Sequence, residues 1–349
     1  MQSKLLALLS RGTALVSRGT ALALVPAFVP AFVPALVLAG GLCRPALAQI
    51  DAPAATPAAT PAAASATAPG PAPGPAPGDV DYDYSPFNPV PAAQMRALST
   101  DQLGKAASPL TVDAGHFQIE TRLLDSSFER DGPTTMRQWS SPGALLKLGL
   151  TDGVDFEVQA PSEQGFEYHD RRTGQLVKAR GLSDSWVGAK LNIFGDDPND
   201  GPAFQSLAII PMIKIPTAQS ALGHNAVEAT IAIPYKIDLP GFWSLTLENA
   251  DGVRLNSLAP GYVGHQQGYH GDYQGIVNIS HPLYFSSLTA SIEYAFDAAT
   301  QPYLGHSSTL DPALQWQITR GLAFDVGDYI GLSGKVPGQH PYVGLTARF

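Results

Sequence analysis

From about Asp113 to the carboxy terminus, apolar and polar residues alternate almost without a break. No other feature constrains the fold as much, because a period of two is the signature of strands with two unlike faces. Phe117, Ile119 and Thr121 oppose Gln118, Glu120 and Arg122, and Val154, Phe156, Val158 and Ala160 oppose Asp155, Glu157 and Gln159. Val187, Ala189, Leu191 and Ile193 oppose Gly188, Lys190 and Asn192. Similar stretches at 146–150, 207–215, 227–237, 243–247, 273–279, 288–296, 310–318, 322–326 and 340–349 bring the total to twelve. An even number of such strands is what a single-chain bacterial membrane barrel requires. The last stretch keeps its alternation to Phe349, with Val343, Leu345 and Ala347 on the same face. A strand that closes a barrel in lipid needs that, since every backbone group there must find a partner.

The connections support the same reading. Thr151-Asp-Gly153, Asp238-Leu-Pro-Gly241 and Arg320-Gly321 are tight turns, and the links near 195–202 and 281–287 join this short series. They alternate with longer links expected at 126–134, 161–181, 216–225, 251–268, 297–308 and 328–339. Short periplasmic turns alternating with long outer loops are the pattern of the bacterial outer membrane. Pro211, Pro234 and Pro312 fall inside strands that have neighbours on both sides, so each is expected to mark a bulge or a broken ladder.

The amino terminus fits a secreted protein. Lys4, Arg11 and Arg18 precede an apolar run from Ala21 to Leu42, and Ala46-Leu47-Ala48 offers a small-x-small cleavage site before Gln49. Residues 1–48 therefore read as a signal peptide, with Pro26, Pro30 and Pro34 opposing a permanent spanning helix. Cleavage would remove Cys43, the single cysteine, and with it any disulfide or cysteine metal site. It would also remove four cations and no acids, taking the formal charge from −9 to −13. An acidic product without a basic run does not suit nucleic acid.

Residues 49–78 are nearly all Ala, Pro, Thr and Gly and are expected to be a disordered, polyproline-like linker. Residues 79–112 gain Tyr82, Tyr84 and Phe87 without a clear period, and read as a periplasmic lead-in or as a partial plug in the barrel mouth. The fold class is thus all-β: a transmembrane antiparallel outer-membrane β-barrel over 113–349, preceded by a disordered Ala/Pro-rich segment.

The chain also resembles a known family, the outer-membrane transporters associated with the MetA pathway of phenol degradation. The resemblance spans roughly Thr111 to Phe349. It rests on Thr111-Val-Asp-Ala-Gly115 with Gln118-Ile-Glu120, and on Ser185-Trp-Val-Gly-Ala-Lys-Leu-Asn192 followed by Phe194-Gly-Asp-Asp197. Pro211 with Lys214-Ile-Pro-Thr-Ala218, Val227-Glu228, Pro234, Leu239-Pro-Gly241 and Trp243 continue it. It implies a barrel that passes small, often aromatic, compounds, and it brings no catalytic motif and no cofactor. Phe349 looks like the terminal signal by which the outer-membrane assembly machinery recognises such barrels.

The face opposite lipid carries both signs. Its acids are Glu120, Asp155, Glu157, Glu228, Glu248, Glu293, Asp311 and Asp325; its cations are Arg122, Lys147, Lys190, Lys214, Lys236 and Arg348. Charge facing the bilayer midplane is destabilising, so these residues are expected to line the lumen. There they would either select solutes as charge rings or pair across a narrow interior and fill it.

Phe194, Phe204, Tyr235, Trp243, Tyr284, Trp316 and Phe349 suit interfacial girdles. His265 and His270 share an expected outer loop but lack ligand spacing, so no metal is assigned. A rival reading is an enzymatic, phospholipase-like barrel, for which Ser280-His281 and His306-Ser307 are the only adjacent pairs. A non-conducting structural barrel is the third.

Overall fold

The computed structural model describes residues 84–141, 143–196, 204–218, 226–256, 268–283, 287–301, 305–333 and 336–349. The expected leader, the Ala/Pro linker, His265 and Tyr284 lie outside them. No helix among the described residues is long and apolar enough to cross a membrane, which says nothing about strands.

The twelve expected strands are all present. They are β1 (Phe117–Asp131), β3 (Gly143–Thr151), β4 (Val154–Ala160), β7 (Ser185–Phe194), β8 (Gln205–Ile215) and β9 (Glu228–Leu239). They continue with β10 (Trp243–Leu255), β11 (Tyr269–Pro282), β12 (Leu288–Ala299), β13 (His306–Thr319), β14 (Leu322–Asp328) and β16 (Pro341–Arg348). Each pairs antiparallel with the next, and β16 pairs with β1, so the sheet closes on itself. At the seam Glu120 lies opposite Thr346 and Ile119 opposite Ala347. The last residue is held as well: Phe349 N–H donates to the Phe117 carbonyl at 2.8 Å, and Phe117 N–H donates to the Phe349 carbonyl at 3.1 Å.

The alternation sorts side chains as expected. Gln118, Glu120, Lys147, Asp155, Glu157 and Lys190 are buried, whereas Phe117, Phe156, Leu191, Ile193, Ile213 and Ile231 remain exposed on the outer wall. Only a membrane makes that inversion favourable, because it solvates the apolar outer face while the charges stay inside.

The three prolines break ladders without shifting register. Pro211 lacks an N–H for β7, and the β7–β8 pairs skip from Gly188–Met212 to Leu191–Ile209. The β8–β9 ladder skips likewise around Pro234. At Pro312 the partner strand is itself interrupted, leaving the short β15 (Ile330–Gly331) beyond β14. The bulges lie elsewhere, for example between Arg122 and Leu124.

Two expected loops are strands instead. The links at 126–134 and 161–181 form a sheet from the upper part of β1 with β2 (Thr134–Ser141), β5 (Glu163–Asp170) and β6 (Gln175–Leu182). Strand β10 also runs into the link expected at 251–268, and β12 and β13 run into that expected at 297–308. Both faces of the added sheet are mixed in polarity, so a period-two reading keyed to one apolar face misses it. Its ladders are the β1–β2 and β5–β6 hairpins joined by β2 pairing with β5.

Candidate functional site

The segment before β1 supplies what the alternation could not reveal. Residues 84–116 contain no regular strand, yet their backbone is hydrogen bonded to side chains from β1, β4, β7, β10, β12 and β16, and their side chains bond to β3 through Asp101 and to β13 through Thr100. Partners spread so widely around the closed sheet put the segment within the barrel. Irregular backbone at that depth persists only where its N–H and C=O groups are satisfied.

Carboxylates take the N–H groups. Glu120 accepts from Asp101 and Gln102 at 2.7 and 3.0 Å, and Glu293 from Lys105 and Ala106 at 2.8 and 3.1 Å. Glu248 accepts from Ala107 at 2.7 Å, and both Asp155 oxygens lie 3.0 Å from Val112 N. Donors take the carbonyls. Arg122 reaches those of Gln102 and Gly104 at 2.9 and 3.0 Å, and Asn192 that of Pro109 at 3.0 Å. Gln118 donates to Ser99 and Tyr342 to Leu103. Arg348 donates to the Arg96 carbonyl at 2.8 Å and pairs with Asp113 at 3.0 Å.

Asp101 is the electrostatic centre. Lys190 donates to its two oxygens at 2.7 and 2.6 Å, and Lys147 lies 2.5 Å away while also pairing with Glu120. Glu157 stands 3.7 Å from Lys190. Both lysines are buried, so each depends on these carboxylates to offset its lost hydration. Farther round, Lys105 lies 3.4 Å from Asp311 and 2.5 Å from the Thr309 hydroxyl.

An aromatic group holds the bend at 102–105. Leu103 packs against Ala313, Tyr329 and Tyr342. The Arg122 guanidinium lies 3.9 Å from the Tyr342 ring centroid, and Tyr329 stacks on Tyr342 at 4.9 Å. Gly104 leaves room there for the Glu293 carboxylate, whose Oε2 would stand 2.6 Å from a Cβ. Gly149 is required, because its Cβ would meet the carbonyl oxygens of Asp113 and Val112 as the chain passes β3.

The structure thus brings Glu120, Arg122, Lys147, Asp155, Glu157, Lys190, Glu248, Glu293, Asp311 and Arg348 around one segment. Lys214 stands apart in a second buried group, 3.0 Å from Glu228 and 3.2 Å from Asp184. Lys236 is half-buried beside Asp238 at 3.3 Å, with its ammonium 5.9 Å from the Phe204 ring.

Sequence reasoning missed Asp101, Asp113, Leu103 and Tyr329 as members of the arrangement. The signal in reach was the set of four charges, Arg96, Asp101, Lys105 and Asp113, in a stretch without period. Phe204 is buried rather than part of an exposed girdle, because it sits beside the Lys236 stem instead of on the outer wall. Phe194, Trp243, Trp316 and Phe349 are exposed.

His270 belongs to β11 and is buried, not in an outer loop. No cluster of His, Cys, Asp or Glu among the described residues could hold a metal. Ser280-His281 and His306-Ser307 lie within β11 and β13, not in turns, and neighbours along a strand point to opposite faces. Neither pair can therefore place its own hydroxyl against its own imidazole. His281 instead packs on Trp243 at 4.4 Å.

Residues 100–349 match the family model described as "Putative MetA-pathway of phenol degradation". No curated protein matches the chain significantly. Among solved structures, it is similar to the COG4313 outer membrane channel from Pseudomonas putida F1 at 11% identity, covering 67% of this chain and 95% of that one with a TM-score of 0.46. The NanC porin aligns at 8% identity over 66% and 98% of the two chains, with a TM-score of 0.38. The translocator domain of the autotransporter NalP from Neisseria meningitidis aligns at 12% identity over 67% and 88%, with a TM-score of 0.42. Likenesses at these scores carry no functional weight.

Proposed function

Because this chain belongs to the MetA-pathway phenol-degradation family, we propose that it is a channel of the Gram-negative outer membrane. It passes small solutes, aromatic compounds among them, through a charged lumen that residues 84–116 obstruct as a plug. One observation carries the reading: the segment is held mainly by hydrogen bonds from side chains to its backbone, not by a sealed apolar core. Groups of that kind can exchange the segment for water or for a polar solute, with Leu103, Leu110 and Val112 the apolar side chains that release would expose. A barrel built only to be filled would gain more from apolar packing, since buried ion pairs add little net stability.

In this arrangement the residues have separate tasks. Glu120, Glu293, Glu248 and Asp155 hold the plug's N–H groups, Lys147 and Lys190 anchor Asp101, and Lys214 with Glu228 sets charge along the remaining path. Direction of flow follows the solute gradient, as no energy-coupling site enters the proposal.

The second reading, a non-conducting barrel, draws on the same satisfied contacts. Flux of charged and aromatic probes of graded size through the purified protein in liposomes separates the two. Size-limited flux that changes in Lys190→Gln, Lys214→Gln or Glu228→Gln is expected. No flux above protein-free vesicles for any probe would refute solute passage and leave the filled barrel.

A further inference from the structure

The sheet built from the upper part of β1 with β2, β5 and β6 has unlike faces that neither the barrel nor the lumen explains. Pairing registers place Arg130, Thr135, His169 and Leu176 in one row on one face. The next row down is Phe128, Arg137, Glu167 and Lys178, then Ser126, Trp139, Gly165 and Arg180, then Ser141, Glu163 and Leu182. This face continues the outer wall of the barrel. Beyond the bulge after Arg122, Leu124 pairs with the outward Val343 and Asp125 with the inward Tyr342, which puts Ser126, Phe128 and Arg130 outward too. The opposite face carries Glu129, Asp131 and Asp170 and no Lys or Arg in its strands.

Charge is therefore segregated. The outward face carries Arg130, Arg137, Lys178 and Arg180 against Glu163 and Glu167, with Lys178 paired to Glu167 at 2.8 Å and Arg180 to Glu163 at 2.6 Å, so that its excess is two cations in a protein whose formal charge is −9. Its cations are combined with aromatics: the Arg180 guanidinium lies 5.4 Å from the Trp139 ring and that of Arg137 5.3 Å from Phe128. Trp139 lies flat over Gly165, where a Cβ would stand 2.5 Å from its Nε1.

The face begins where the apolar belt ends. Leu123, Leu124 and Leu182 are exposed at its lower edge. Rows two residues apart rise by about 7 Å, so Arg180 stands about 7 Å and Arg137 with Lys178 about 13 Å beyond that edge. That is headgroup depth, and it lies at the end of the barrel opposite Phe117 and Phe349.

We propose that this face docks on net-anionic, phosphate-bearing lipid headgroups of the outward leaflet, with Arg137 and Arg180 as the principal contacts and Trp139 at the boundary. Continuity with the lipid-facing wall and charge complementarity select a membrane surface over a soluble partner. The proposal rests on the outer-membrane location given under Proposed function, with the long links facing outward as the connection pattern leads one to expect, but not on solute passage.

The test is equilibrium binding of fluorescent diphosphoryl lipid A to the purified full-length protein in zwitterionic micelles, with phosphatidylcholine and inorganic phosphate as comparison arms. A cation near an anionic membrane surface contributes enough for a loss of about five-fold each. Arg137→Gln with Arg180→Gln is therefore expected to weaken lipid A binding about 25-fold, and Arg→Lys at both positions to restore most of it. Glu129→Gln with Asp131→Asn, on the opposite face, is expected to leave binding unchanged. Equal affinity for lipid A and phosphatidylcholine, full displacement by millimolar inorganic phosphate, or an unaffected double arginine variant would each overturn the proposal.

Discussion

Asp101→Asn is the sharpest test of how the segment before β1 is held. Asp101 faces Lys147 at 2.5 Å and Lys190 at 2.7 and 2.6 Å, and accepts the Ser108 N–H at 2.8 Å. Both lysines are buried on the barrel wall, so the aspartate is the most heavily paired of the charges that tie the segment to it, beside Lys105 on Asp311 and Asp113 on Arg348. Breaking a buried pair by removing one partner costs about 3–5 kcal/mol. The lower end applies, because Lys147 keeps Glu120, Lys190 keeps Glu157 at 3.7 Å, and an asparagine oxygen still accepts one donor.

About 3 kcal/mol corresponds to a roughly 150-fold rise in the undocked fraction. Hydrogen exchange of the amides of Gln102, Lys105, Ala106, Ala107 and Val112 reads that fraction directly, since each donates to a barrel carboxylate. Their protection is expected to fall together by about two orders of magnitude, while amides within β10 and β11 keep theirs. Liposome flux should rise in parallel. Protection unchanged at all five amides would refute the assignment of Asp101 as the anchor.

Gly104→Ala drives a methyl toward Glu293, and the overpacking is expected to cost about 1–3 kcal/mol. Exchange should quicken at Lys105 and Ala106 before it does at Val112. Arg122→Lys should behave almost as badly as Arg122→Gln, because an ammonium cannot both lie over the Tyr342 ring, as the planar guanidinium does, and bond the two carbonyls that Nη2 reaches. Thermal melting and exchange at residues 102–105 check it. Gly149→Ala sets a Cβ against backbone oxygens that cannot rotate away, so the yield of folded, heat-modifiable barrel on gels should fall. A wild-type yield would show that residues 112–113 can move aside.

How far the sequence could be read depended on whether one chemical rule governed a stretch. In β4, lipid and lumen impose opposite demands on Phe156 and Glu157, so the alternation is legible residue by residue. In β2 and β5 neither face meets lipid hydrocarbon over its length, so Thr134 to Ser141 and Glu163 to Asp170 read as loop. Glu120, Lys147 and Lys190 could be placed inside by charge alone, yet their partner Asp101 could not. It lies in a stretch without period, and its contacts come from residues tens of positions away.

Twelve alternating strands, with Glu120 and Lys190 turned away from Phe156, Leu191 and Ile213, are legible from residue order alone, because burial and hydration act on each residue locally. What those charges face is a property of the whole folded chain. Whether Lys190 meets a solute or Asp101 depends on where an irregular segment crosses a closed barrel, and that path is set by backbone groups seeking partners all around the wall.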